Sequence, residues 1–144
     1  MPAKNKITRV VIDTNIWVSF LISDKYRKLD NLLLGNRIII LFSTELLEEL
    51  NKVSKYPKLK KYFSPNAVEE MIFNLSSYIE LVKVTSKTDI CRDPNDNFLL
   101  TLAKDGKANY LITGDTDLLS LNKFSKTKIL TLTDFFTVTS KNFR

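Results

Sequence analysis

Thr8-Arg9-Val10-Val11-Ile12-Asp13-Thr14-Asn15 joins a short β-branched run to an abrupt polar end: an acid, a hydroxyl and an amide in succession. Apolar residues resume at Ile16 and Trp17. A strand that is apolar at consecutive positions has both faces covered, which is the pattern of a parallel sheet packed between helices. Asp13 therefore falls at the carboxyl end of a core strand. In open α/β sheets the crevice outside those strand ends is where ligands bind, so chemistry is expected at this position.

The rest of the chain repeats the alternation of strand and helix. Asn15–Ile22 reads as a short helix, and Tyr26–Leu34 as a second, with Leu29, Leu32 and Leu33 at helical spacing and Gly35 as its stop. Ile38–Phe42 is an apolar strand, and Ser43-Thr44-Glu45 caps a helix whose buried stripe is Leu46, Leu47, Leu50 and Val53. A helix over Asn66–Ser77 follows, then Ile79–Val84, which alternates like a strand. A polar loop, Ser86–Asn95, delivers Asp96-Asn97 into the helix Phe98–Ala103. Asn109–Thr113 reads as another core strand, Gly114–Leu121 as a turn and short helix, Lys128–Thr131 as a last strand, and Phe135-Phe136 as a final helical turn. Strands alternating with helices predict an α/β/α sandwich around a mainly parallel sheet. A chain of 144 residues, with no repeat and no long linker, predicts a single domain with its core over about 8–136.

Composition narrows the chemistry. There is no histidine, which rules out a Ser-His-Asp triad, a histidine base and a histidine metal ligand. A single cysteine, Cys91, excludes an internal disulfide and a Cys-rich zinc site. Any metal would sit on oxygen, which favours magnesium or manganese over zinc or copper. The net charge of +6 suits a polyanionic partner. No apolar run approaches the roughly 18 residues that span a bilayer, so no membrane association is expected and the cytoplasm is the default location.

Two strand ends carry matching acids, Asp13 and, after Ile112-Thr113-Gly114, Asp115 with Asp117. Asp96 begins the helix leading to the second of these strands, and so faces the same sheet edge. Glu48 and Glu49 follow the Ser43 cap, and adjacent helical positions lie about 100° apart, so only one turns inward. Leu46, Leu50 and Val53 bracket Glu49 better. Carboxylates gathered at one crevice repel one another unless a cation sits among them. The economical reading is a divalent-metal site of Asp13, Glu49, Asp96 and Asp115, with Asp93 and Asp117 as further candidates. Taken singly, each has a plainer role, as a helix cap for Asp13, Asp96 or Asp115, an Asx-turn for Asp93 and a surface residue for Glu49.

Four segments resemble the PIN-domain family of metal-dependent ribonucleases, and more narrowly the VapC-like toxins of toxin-antitoxin pairs. They are Val11–Asn15, Ser43–Leu50, Cys91–Asn97 with Ala103 beyond it, and Leu111–Leu119. The resemblance runs from about Val10 to Phe136. It implies a five-stranded parallel sheet, acidic ligands at Asp13, Glu49, Asp96 and Asp115 with Asp117 assisting, and a pocket shaped by Asn15, Thr113 and Asp93. It also implies Mg2+ or Mn2+ as cofactor, single-stranded RNA as substrate, a cognate antitoxin and a homodimer formed through the helices between Asn15 and Leu34.

The lysines of Lys52–Lys61, interleaved with Tyr56, Tyr62 and Phe63, are candidates for an RNA-holding arm, with Lys55, Lys58 and Lys60 foremost. Their plainer reading is a solvated surface. A phosphatase of the Asp-x-Asp type is disfavoured because Asn15 replaces its second acid, and flap cleavage of DNA because the chain lacks room for added helices. A PIN nuclease of RNA processing without toxin function, and a non-catalytic RNA- or protein-binding module, are the remaining alternatives.

Overall fold

The computed structural model describes residues 7–23, 37–90 and 96–142, with Leu29, Asn31, Leu33 and Gly35 between the first two segments. Most of the expected helix Tyr26–Leu34, Leu32 included, lies outside the described residues. Leu29 and Leu33 are in helical backbone and buried. Asp93 and Cys91 also lie outside them.

Strand β1 (Thr8–Ile12) leads into helix α1 (Thr14–Ser23). Strand β2 (Ile38–Phe42) leads into α2 (Thr44–Ser54), where the Ser43 hydroxyl accepts a hydrogen bond from the Leu46 amide at 3.1 Å. Pro57 then starts a single turn, α3 (Pro57–Lys60), and α4 (Ala67–Asn74) is followed by a 3-10 turn, Ser76–Tyr78. The short β3 (Ile79–Leu81) enters the sheet, and α5 (Asn97–Asp105) returns the chain to β4 (Tyr110–Ile112). Beyond β4 come α6 (Thr116–Leu121), β5 (Lys123–Phe124), β6 (Thr127–Leu130) and α7 (Leu132–Asn142).

The sheet has six strands in the order β3-β2-β1-β4-β6-β5. Five are parallel, as expected. The sixth, β5, was not foreseen, and it pairs antiparallel with β6 through the short Ser125-Lys126 turn. Two residues are too few to show any alternation in a sequence. Val10, Val11 and Ile12 are all fully buried, as are Ile40 and Leu41, and Leu111 and Ile112. Successive strand residues point to opposite faces, so both faces of the central strands are covered by helices. On one flank Trp17 of α1 packs its ring against Phe42 at 5.2 Å and Phe20 at 5.8 Å.

Three expected boundaries move. Val82 still donates its amide to Phe42, but β2 ends there, so the segment Val82–Val84 has no ladder to continue. The helix expected over Asn66–Ser77 breaks after Asn74. The final turn at Phe135-Phe136 is instead the eleven-residue α7, with Phe135 fully buried.

The order places β1 and β4 side by side at the point where the chain reverses its direction of travel across the sheet. Their register is Val10 to Tyr110, Val11 to Leu111 and Ile12 to Ile112. The first residues past both strands are therefore neighbours at a topological switch point.

Candidate active site at the switch point

Asp13 and Thr113 are the residues that follow the Ile12–Ile112 pair. The Asp13 amide still donates to the Ile112 carbonyl at 2.9 Å, so the sheet holds the backbone of the acid. The Asp13 carbonyl in turn receives the Ile16 and Trp17 amides and starts α1. The side chain is 6% exposed. Its Oδ2 accepts a hydrogen bond from the Thr113 hydroxyl at 2.6 Å, whereas Oδ1 has a long contact of 3.4 Å from the Asn15 amide.

Thr113 is fully buried and connects the two strand ends. While donating to Asp13, its Oγ1 accepts the Asp115 amide at 3.0 Å. Asp115 then caps α6, its Oδ1 accepting the Asp117 amide at 2.8 Å. Asp13, Thr113, Asp115 and Asp117 thus form one chain of contacts across the switch point, and the cap and the site at Asp115 are the same feature. Burial pushes the Asp13 carboxyl above its ordinary value, and the charge of Asp115 adds to the rise. The Thr113 hydroxyl and the Asn15 and Thr14 amides act against it. Two carboxylates that resist joint ionisation are a place where positive charge is favoured.

The other candidates border a neighbouring cleft of about 790 Å³ between α2 and α5. Glu45, Glu48, Glu49 and Lys52 line it from α2, and Asn97 and Thr101 from α5. Glu49 is half-buried between this stripe and the core stripe of Leu46 and Leu50, whereas Glu48 is exposed. Asp96, half-buried beside Asn97, does not cap α5 with its side chain. Neither Asp13 nor Asp115 lines this cleft. Its far wall is the extended segment 84–88, pinned where the Asp105 carboxylate accepts the Thr85 and Ser86 amides at 2.6 and 2.8 Å and the Ser86 hydroxyl. Asn15 is exposed, and so are Lys55, Lys58 and Lys60.

A profile of the PIN-domain family matches residues 9–117. The chain belongs to the PIN-domain family. This PIN domain is 34% identical over 124 residues to the uncharacterised protein MJ1680 of Methanocaldococcus jannaschii, covering 82% of this chain and 79% of that protein. Its fold is similar to that of Mycobacterium tuberculosis VapC20, a sarcin-ricin loop cleaving toxin, with TM-score 0.54, 15% identity, and 83% and 98% of the two chains covered. VapBC2 of Rickettsia felis, solved on a DNA fragment from its promoter, gives a TM-score of 0.53, 20% identity, and coverage of 85% and 97%. The PIN domain endonuclease Utp24 gives 0.51, 19%, and 86% and 84%. At these identities the structural likenesses speak to fold alone. PIN domains are nuclease domains, so the site is to be read against phosphodiester hydrolysis.

The donor set of this PIN domain is all oxygen, which suits a hard cation. Among the described residues no three acidic or cysteine side chains stand close enough to cage an ion by themselves. Magnesium needs no such cage, since it usually keeps several waters and takes one or two carboxylates together with substrate phosphate. The Asp13–Asp115 pair fits that demand. A further oxygen is at hand in Thr14, whose buried Oγ1 has no hydrogen-bond partner. Thr14 was not singled out from the sequence, although its place directly after the acid, at the start of a helix, is a readable signal. Among the described residues, no helix is long and apolar enough to cross a membrane.

Proposed function

We propose that this PIN domain is a divalent-metal-dependent endoribonuclease that cuts single-stranded RNA, and that it is the toxin of a toxin-antitoxin pair. The observation that carries the reading is the Asp13–Thr113–Asp115 constellation at the switch point. Asp13 and Asp115 would hold Mg2+ or Mn2+, with Glu49, Asp96 and Asp117 completing or orienting the shell from the adjoining elements. Such an ion, when bound, lowers the pKa of water and neutralises charge on the scissile phosphate. Thr113 holds Asp13 Oδ2, leaving Oδ1 as the freer oxygen for the site. Attack of a water oxygen on phosphorus breaks the bond to the 3′ oxygen, leaving a 5′-phosphate and a 3′-hydroxyl. No 2′-hydroxyl attack and no histidine are involved.

The toxin assignment is supported by fold likeness to VapC20 and to the VapBC2 assembly. It brings with it an antitoxin that covers the acidic edge, and a homodimer in which α1, with Ile22 exposed at its end, supplies surface. Labelled single-stranded RNA, single-stranded DNA and duplexes, incubated with and without manganese, test the activity. Manganese-dependent cutting of the RNA, lost in Asp13→Asn, is expected, and cutting by a folded Asp13→Asn at the wild-type rate would overturn it. Inducible expression of both forms, followed by growth and RNA integrity, tests the toxin role. Cleavage without growth arrest would instead favour a nuclease of RNA processing.

A further inference from the structure

A second cavity of about 440 Å³ lies on the other flank of α2. On a helix turning about 100° per residue, Asn51 and Ser54 project some 140–200° away from Glu49, so this cavity faces away from the acidic cleft. It forms because α3 is a single turn begun by Pro57, after which the chain doubles back and brings Phe63 against the end of α2. Its size lies within the roughly 300–1,000 Å³ of small-ligand sites. Lys55 and Lys60 supply two cations, Phe63 an aromatic ring, Asn51 and Ser64 hydrogen-bonding edges, and Glu69 a carboxylate.

These groups together describe a ligand. Two ammonium groups call for an anion, but Glu69 beside them disfavours a bare one and calls for hydroxyl or amino donors. The ring calls for a flat apolar face. A ribonucleotide has all three, whereas an acidic peptide offers charge alone and would set carboxylates against Glu69. We infer that this cavity holds one nucleotide of the RNA strand outside the cleavage site, its phosphate between Lys55 and Lys60 and its base on Phe63. The inference rests on the ribonuclease reading above. It also divides the lysine cluster, because Lys58 does not line the cavity. Nor do the tyrosines: Tyr56 is absent from its walls, and Tyr62 has the Lys61 ammonium 5.2 Å from its ring centroid.

The test is fluorescence anisotropy of a short labelled single-stranded RNA of mixed sequence across a salt series, with chelator present so that nothing is cut. Replacing Lys55 and Lys60 together by glutamine should lower the slope of log K against log salt by about 1.4, or about 0.7 per lost phosphate contact, while Lys58→Gln follows wild type. Phe63→Ala should weaken binding about fivefold or more at fixed salt, and Phe63→Tyr, which keeps a ring, should restore it. A wild-type slope in the Lys55/Lys60 variant overturns the inference, as does an equal loss in Lys58→Gln, which would mark unspecific charge. Binding of polyglutamate that depends on Lys55 and Lys60, with RNA binding indifferent to them, overturns it in favour of an acidic peptide. Manganese-dependent cleavage by the same preparations separates the two readings. If wild type cuts RNA while the slope is unchanged, the cavity assignment alone falls, and if wild type neither binds nor cuts RNA, the ribonuclease reading falls and takes it along.

Discussion

Ionising Asp13 costs folding free energy, because burial and the nearby Asp115 raise its pKa. The folded protein holds this proton more tightly than the unfolded chain does, so the penalty grows as pH rises from the ordinary value of 3.8 and is complete above the folded pKa. Metal-free Asp13→Asn, which keeps an acceptor for Thr113, should therefore melt above wild type at neutral pH, with the gap closing as pH falls toward 3.8. A wild type that is the more stable form at pH 7 would contradict this. Manganese should raise the melting temperature of wild type alone, corresponding to about 2.7 kcal/mol at a hundredfold excess over its Kd. Thr113 admits a sharper test, since one hydroxyl serves both acids. Thr113→Val should lower metal affinity or cleavage about 10- to 100-fold, the usual effect of losing a group that orients a ligand, and Thr113→Ser should retain most of it.

Among the elements, α2 shows how far the sequence can be read. Its cap, its stripe and the inward turn of Glu49 follow from Ser43, from the spacing of Leu46 and Leu50, and from the 3.6-residue period. Ser43→Ala should cost about 1 kcal/mol in urea unfolding. Glu49→Gln should impair cleavage far more than Glu48→Gln, and equal effects would remove Glu49 from the site. The elements that were not legible fail for local physical reasons. Helix α7 carries Thr133, Thr137 and Thr139, β-branched residues that read as poor helix formers. In the fold, Thr137 and Thr139 donate their hydroxyls to the Thr133 and Phe135 carbonyls one turn back. Strand β3 is shorter than its alternating pattern because its partner β2 ends first. The cavity beside α2 depends on how α2, α3 and the start of α4 fold back on one another, which no spacing rule reports.

At the scale of the whole molecule, the alternation of strands and helices and the pair of acid-tipped strands were enough to predict the sheet and the edge where its chemistry lies. What pattern alone left open was the order of the strands, and that order turns two acids on distant segments into neighbours. The core extends to the end of the described chain, where the Phe135 ring meets Tyr110 of β4 at 5.6 Å. Phe135→Ala should accordingly cost about 3–5 kcal/mol in chemical denaturation, and a loss well under 1 kcal/mol would show that α7 is peripheral.

The hydrogen bond from Thr113 to Asp13 spans 100 residues of sequence. At a synthesis rate of about 5–20 residues per second, on the order of 5–20 s separate the appearance of the first acid from that of its partner. A ribosome that stalls anywhere in between has made a chain with Asp13 but without Asp115. Loop closure over so long a span also makes the β1–β4 pairing a demanding contact to form. The nuclease is therefore built so that its chemistry switches on only with a nearly complete fold, and abortive translation products are harmless to the RNA around them.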